Sequence, residues 1–346
     1  MSQTAVPENA PSGESLLEVR DLRTEFTTAR GTVAAVRDVS FSIHRRERLA
    51  IVGESGSGKS AMAMSIVGLL QPPGRVVGGE VLLEGRNLRG LPDAELSRIR
   101  GRRISLVFQD PMSALDPIRS IGSQMIEAIR AHQDVSRKAA RRTAADLLGE
   151  VGVVDAARRL SDYPHQYSGG MRQRVLIALA LANSPELVIA DEPTTALDVT
   201  TQAQVLELLD RLVTDRRAAL MLITHNLGIV AGYCDSVKVM YAGRLVEESS
   251  SRELFRAPAH PYSRELIKCV LRTDQRQEGR LATIPGSLPD PTKPFVGCAF
   301  EPRCPVGHDN PLCQSTEPVL VPFGRPEANH ATSCHFPGAT RQESVS

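Results

Sequence analysis

The stretch "LAIVGESGSGKSAMAMSIVGLL", residues 49–70, decides the fold. It opens on an apolar run, crosses a glycine-rich segment and ends in a helical apolar pattern, which predicts a buried strand, a loop and a helix. Inside it, Gly53-Glu54-Ser55-Gly56-Ser57-Gly58-Lys59-Ser60 satisfies G-x-x-x-x-G-K-[ST] in the strand-to-helix setting that pattern requires. Gly53, Gly56 and Gly58, with Ser55 between them, let backbone N–H groups close around phosphate oxygens. Lys59 reaches the β and γ phosphates, and the Ser60 hydroxyl binds Mg²⁺. The expected ligand is a nucleoside triphosphate.

A second segment fits the same chemistry. "LVIADEP", residues 187–193, predicts a buried strand that ends in two carboxylates, and the C-terminal edge of an α/β sheet is where such folds bind ligand. Asp191 is expected to hold Mg²⁺ through its water shell, and Glu192 to orient and deprotonate the attacking water. Gln109, at the end of "SLVFQ", is placed to meet Mg²⁺ or the lytic water, and His225, at the end of "LMLITH", to donate to the γ phosphate. Taken alone, either residue reads more often as an ordinary polar strand end, and it is their order and strand positions that favour the site.

"YSGGMRQRVLIALAL", residues 167–181, then poses a puzzle. A Ser-Gly-Gly turn leading into an apolar helix directs free N–H groups and the positive end of a helix dipole toward an anion. The chain already has a better phosphate cradle more than a hundred residues upstream.

Composition narrows the function classes. Of 346 residues, 41% are hydrophobic and 23% charged, which excludes wholesale disorder. A net charge of +1 gives no bulk attraction to nucleic acid or anionic lipid, so "SRIRGRR" and "RKAARR" read as solvated faces. The longest apolar run, "VLIALALA", falls well short of the ~18 to 20 residues that cross a bilayer, so a membrane role has to come through partner subunits. Residues 1–16 lack a secretory pattern and are expected to form a disordered tail. Without a signal the chain is expected in the cytosol, where its six cysteines stay out of disulfides.

The element order runs from short β-rich segments through the phosphate loop and a hairpin-like "GGEVLLEGRNL" to the strand "ISLVFQD" and a charged helical middle. Apolar strands alternating with helices then resume, which implies a parallel sheet covered on both faces. The fold class is α/β, a phosphate-loop NTPase core with a β subdomain and a helical insertion over about 90–175. After 255 the composition turns to Pro, Gly and Cys, and such a segment needs a staple or a surface to lie on.

Gly53 to Ser60, Gln109, "YSGGMRQ", "LVIADEP", "TALD" (Thr195 to Asp198) and His225 occur in the order found in ATP-binding cassette (ABC) ATPases, and residues 17–255 resemble that family. The resemblance implies ATP and Mg²⁺ as ligands and a head-to-tail pair, in which Ser168, Gly169 and Gly170 cover the nucleotide on the other chain. It implies further that Phe26 stacks on adenine, or else packs as a core residue, and that Asp198 lies near the partner's phosphate loop. Tyr167 and Met171 stand where the family usually has Leu and Gln. "LVFQDPMSALDP", "YPHQYSGGMRQRV", "PAHPYSRELI", "IPGSLPD" and "GCAFEPRCP" are most similar to the ATPase subunits of bacterial oligopeptide and dipeptide importers, with 256–346 as their C-terminal extension. That branch implies two membrane permeases, a second and often non-identical ATPase subunit and an extracytoplasmic binding protein, with this chain on the cytoplasmic face of the membrane and no nucleic acid partner. Nickel and glutathione importers are neighbouring readings. A soluble ABC ATPase acting on ribosomes or DNA, or a phosphotransferase, fits less of the pattern.

Cys298, Cys304, Cys313 and Cys334 are spaced C-x5-C-x8-C-x20-C. The C-x2-4-C knuckle of structural zinc is absent, and four such thiolates suit a [4Fe-4S] cluster, which some members of that branch carry; zinc and free thiols are the other readings. Cys234 and Cys269 read as buried apolar residues on helices.

Overall fold

The computed structural model describes residues 15–195, 197–274, 284–293, 295–325 and 329–340. Two sheets carry the chain. An antiparallel sheet holds β1 (Ser15–Thr28), β2 (Gly31–His44), β4 (Gly74–Leu83) and β5 (Arg86–Asn87) in the order β2-β1-β4-β5. A second sheet holds β3 (Arg48–Val52), β6 (Ile104–Val107), β7 (Leu187–Asp191), β8 (Ala219–Thr224), β9 (Ser236–Tyr241), β10 (Arg244–Ser250), β11 (Val321–Pro322) and β12 (Ala331–Thr332) in the order β11-β12-β10-β9-β3-β8-β7-β6. Its central pairs, β3 with β8 and β9 and β7 with β6 and β8, are parallel. The expected tail reaches residue 16, but Ser15 and Leu16 belong to β1, where Leu16 is buried; residues 1–14 lie outside the described residues.

The central strands are apolar throughout because each feeds two cores, as alternation of side chains requires. Leu49, Ile51, Leu187, Ile189, Met221 and Ile223 face a core shared with the antiparallel sheet and the helix Lys59–Ile66. Ala50, Val52, Val188, Ala190, Leu220 and Leu222 face the other core, shared with the helices Ile121–Arg130, Arg137–Glu150 and Gly169–Leu181. At roughly 1.5–3 kcal/mol for each fully buried large apolar side chain, these two layers hold the sheet edge rigid beneath the site.

The Pro-rich segment finds the surface it needs on the same sheet. β12 pairs antiparallel with β10, and Phe300 packs edge-on against Tyr241 of β9 with ring centroids 5.3 Å apart. Glu247 of β10, with no exposed surface, joins the two regions. It accepts from the backbone N–H of Ala259 (2.7 Å) and His260 (2.8 Å) and from His330 Nε2 (2.7 Å). Burial alone pushes this carboxyl up, yet those donors overcome it and hold the group ionised. Cys269 lies half-buried on the helix Pro261–Asp274, whereas Cys234 stands just beyond the helix Leu227–Tyr233 as its C-cap. Burial raises the Cys234 thiol to about 12.

Glu247→Ala strands the His330 donor and two backbone N–H groups in the interior, and is expected to lower stability by about 3–5 kcal/mol. Urea unfolding measures this, with hydrogen exchange expected to rise first over residues 259–340. Unchanged stability with unchanged exchange would remove Glu247 as the anchor.

Candidate active site

The phosphate loop is shaped by what lies behind it. A Cβ on Gly58 (φ +105°) would sit 2.1 Å from the Ala35 carbonyl oxygen, and one on Gly53 (φ +157°) would sit 2.2 Å from that of Met240. Only glycine tolerates such backbone contact. The turn that results swings Lys59 back over its own loop. Its Nζ donates to the carbonyls of Gly53 (2.8 Å) and Glu54 (2.9 Å) and to Ser57 Oγ (3.3 Å). Burial lowers its pKa, against the pull of Glu192, Asp191 and Glu54.

Opposite the loop, β7 delivers Asp191 and Glu192. Asp191 is buried, which raises its pKa, and its Oδ1 accepts from Ser60 Oγ at 3.1 Å. The two oxygen donors expected at Mg²⁺ are therefore already adjacent, which fits a hard cation. Glu192 adopts φ +43°, a left-handed conformation costing about 1–3 kcal/mol in a non-glycine residue, and its N–H donates to Ile223 O at 2.9 Å. Glu192 Oε2 accepts from Gln109 Nε2 (3.0 Å) and Thr195 Oγ1 (2.8 Å), and lies 3.4 Å from His225 Nδ1. The His225 contact first, then Thr195, hold the carboxyl down to about 2. In return Glu192 raises the pKa of His225.

Two expected strand ends shift. β6 stops at Val107 and β8 at Thr224, so Gln109 and His225 occupy the loops just beyond them. Thr195 joins the cluster although "TALD" drew attention only to Asp198. Gln109 is engaged with Glu192 rather than with the Ser60 and Asp191 pair.

The remaining expected residues lie elsewhere. Ser168 caps the helix Gly169–Leu181, accepting from Met171 N at 3.3 Å, and is exposed with Gly169. Their neighbours are Leu197 and Thr201, since an added Cβ on Gly169 or Gly170 would meet those side chains. Exposed Asp198 caps the helix Val199–Asp215, accepting from Thr201 N at 3.0 Å. Phe26 is half-buried near the end of β1, beside Gly74, rather than in the core. Ser55 and Gly56 complete the loop, and an added Cβ on Gly56 would touch Leu288 from the C-terminal region at 3.4 Å.

Cys298, Cys304, Cys313 and Cys334 line one cavity. Gly307 forms its floor, where a Cβ would sit 2.8 Å from Cys313 Sγ. The N–H groups of Gly307 and Phe336 donate to Cys304 Sγ (3.1 Å) and Cys334 Sγ (3.4 Å). Among the described residues, the metal-type donor atoms that converge within 4.8 Å belong to Glu301, His308 and Asp309, not to the cysteines. Four thiols lining one cavity are a donor set that a cluster or a zinc ion would use.

Comparison with known proteins agrees with this geometry. The ABC transporter family matches residues 36–195, and the family described as the oligopeptide/dipeptide transporter C-terminal region matches 246–313. The oligopeptide transport ATP-binding protein OppD of Escherichia coli is 46% identical over 91% of this chain and 92% of that protein. The dipeptide transport ATP-binding protein DppD of Bacillus subtilis is 48% identical over 84% of this chain and 87% of that protein. A dimeric ATP-binding cassette, MJ0796, solved with ADP and Pi in a post-hydrolysis state, superposes with a TM-score of 0.61 at 28% identity, covering 68% of this chain and 99% of that one. Fold and site together define an ATP-hydrolysing ABC transporter subunit. Within that class, the chain belongs to the family of ATP-binding subunits of oligopeptide and dipeptide ABC transporters.

Because Glu192 raises the pKa of His225, the ion pair is complete below the ordinary histidine value of about 6.5 and is lost as pH rises through the elevated one. An NMR titration of the His225 ring is expected to show a midpoint above about 6.5, falling when Glu192→Gln removes the charge. Equal midpoints in the two proteins would dissolve the pair.

Proposed function

We propose that this chain powers the import of dipeptides and oligopeptides, working on the cytoplasmic face of the membrane with a second, non-identical ATPase subunit, two permease subunits and an extracytoplasmic binding protein. No helix of the described residues is long and apolar enough to cross a membrane, which assigns the crossing to the permeases in this reading. Met112 (47% exposed) and Ile118 (83% exposed) follow Gln109 closely and offer apolar contacts through which a permease helix can feel the nucleotide site.

The observation that carries the catalytic reading is Glu192, ionised directly after the Asp191 that meets Ser60. Held near 2, its carboxylate is a weak base, and His225 is the main cause. When ATP is bound, the γ phosphate offers His225 a second acceptor. Release of that donor raises the proton affinity of Glu192 and readies it to take a proton from the attacking water, while Gln109 and Thr195 keep it aimed. Lys59 exchanges its loop carbonyls for phosphate oxygens, and Ser60, Asp191 and Gln109 would hold Mg²⁺, which neutralises charge on the phosphates. The turn of Ser168, Gly169 and Gly170 supplies donors to the partner's ATP, with Asp198 beside the partner's phosphate loop and Phe26 stacking on adenine. Donors on both sides and the exclusion of water appear only when two subunits close.

In the C-terminal region, Cys298, Cys304, Cys313 and Cys334 would hold a [4Fe-4S] cluster. Such a cluster supplies a covalent cross-link and a one-electron redox centre when bound. The four side chains would tie the 3-10 turn Glu301–Arg303 and its flanks, the helix Pro311–Ser315 and the segment just after β12 to one another.

Three outcomes are expected. The assembled transporter in proteoliposomes takes up labelled peptides only with ATP; uptake of nickel or glutathione in their place would reassign the cargo. Glu192→Gln retains bound ATP and traps a closed pair while turnover falls by at least about a hundredfold, and normal turnover would exclude Glu192 as the base. Protein purified without oxygen contains about four iron and four labile sulfide per chain, and colourless, zinc-loaded protein would exclude the cluster.

A further inference from the structure

Glu54 is the one charged residue between Gly53 and Lys59, and a carboxylate there stands beside the place where a triphosphate brings its own negative charge. The fold answers it from 249 residues away. Arg303, in the 3-10 turn Glu301–Arg303 of the C-terminal region, grips Glu54 with both terminal nitrogens: Nη1 donates to Oε2 at 2.7 Å and Nη2 to Oε1 at 3.0 Å. The Arg303 side chain is 5% exposed and cannot swing away. Its remaining donors are spent on fixing it: Nε on Pro285 O (2.9 Å), Nη2 also on Ile284 O (3.1 Å) and Nη1 also on Tyr241 Oη (3.3 Å). A second contact from the same region reaches the same residue, since Tyr262 Oη accepts from the Glu54 N–H at 2.8 Å. Lys59 meanwhile donates to the Glu54 carbonyl. Backbone and side chain of Glu54 are thus all held, two of the three groups by residues outside the nucleotide-binding core.

We propose that Arg303 is a positioning residue for ATP binding: it neutralises Glu54 and fixes the phosphate loop in its receptive shape, so that the C-terminal region sets the affinity for nucleotide. A bidentate, sheltered guanidinium and carboxylate pair is among the strongest polar contacts a protein makes. Losing one member leaves the other charge partly buried and unpaired. Without Arg303, the Glu54 carboxylate faces the incoming phosphates, and the loss falls on binding rather than on the chemical step.

The test measures KM and kcat for ATP hydrolysis in the assembled transporter carrying Arg303→Lys, Arg303→Gln, Glu54→Gln or the Glu54→Gln/Arg303→Gln pair, with the melting temperature of each full-length chain. Arg303→Gln is expected to raise KM roughly tenfold with kcat within about twofold. Arg303→Lys, which keeps charge but not the fork, is expected to raise it about threefold. Removing the Glu54 charge as well recovers most of the KM lost in Arg303→Gln, a rescue that a purely structural role for Arg303 would not give. If Arg303→Gln does not fold, the Arg303→Lys shift and its relief in an added Glu54→Gln/Arg303→Lys pair carry the same comparison. An unchanged KM in the arginine variants, a loss in kcat alone, or a double variant as weak as the single one would overturn the proposal.

Discussion

Everything at the nucleotide site depends on a backbone packed too closely for side chains. At Gly58 the phosphate loop presses on the Ala35 carbonyl of β2, and at Gly53 on the Met240 carbonyl of β9. Those contacts fix where the helix Lys59–Ile66 begins, and hence where Lys59 and Ser60 stand. Ser60 then meets Asp191 because β7 and β3 both flank β8 in parallel register, ending at one edge. A methyl group at either glycine would have to displace main chain rather than a flexible side chain. The position is therefore set by the sheet, and the sheet by its two apolar layers.

Electrostatics completes what packing begins. Three carboxylates, Glu54, Asp191 and Glu192, border a site whose ligand is itself an anion, and each has its own counterweight. Arg303 pairs Glu54, Ser60 donates to Asp191, and the trio of Gln109, Thr195 and His225 serves Glu192. In the reading proposed here, ATP redistributes these donors rather than simply filling a gap: Lys59 and His225 both leave protein acceptors for phosphate. In the same reading the Ser168 turn, which caps the helix Gly169–Leu181, is the half-site that serves the partner's nucleotide.

What could be read from sequence was the part encoded locally. A glycine, lysine and serine pattern between a strand and a helix, or two carboxylates after an apolar run, places chemistry within a few residues of its cause. Strand ends were less legible. The ladder between β6 and β7 ends at Val107 opposite Ala190, so Phe108 and Gln109 lie beyond it although their composition suits a strand. The C-terminal region was least legible of all. Its cysteines announced a shared site by count and spacing, but nothing near Arg303 or Tyr262 signals that their partner is Glu54, and nothing near Glu247 signals His330. Those contacts arise from tertiary folding: β12 pairs with β10, while Tyr262, Leu288 and Arg303 come against the phosphate loop.

In the proposed reading the nucleotide site is divided between two subunits. Single-turnover ATP hydrolysis by this chain alone, with light scattering showing a monomer from mixing to completion, examines it most directly. Nucleotide is expected to bind but remain intact until the second ATPase subunit is added, after which hydrolysis proceeds. Full-rate cleavage by the verified monomer would contradict the division and leave the exposed Ser-Gly-Gly turn without a catalytic task.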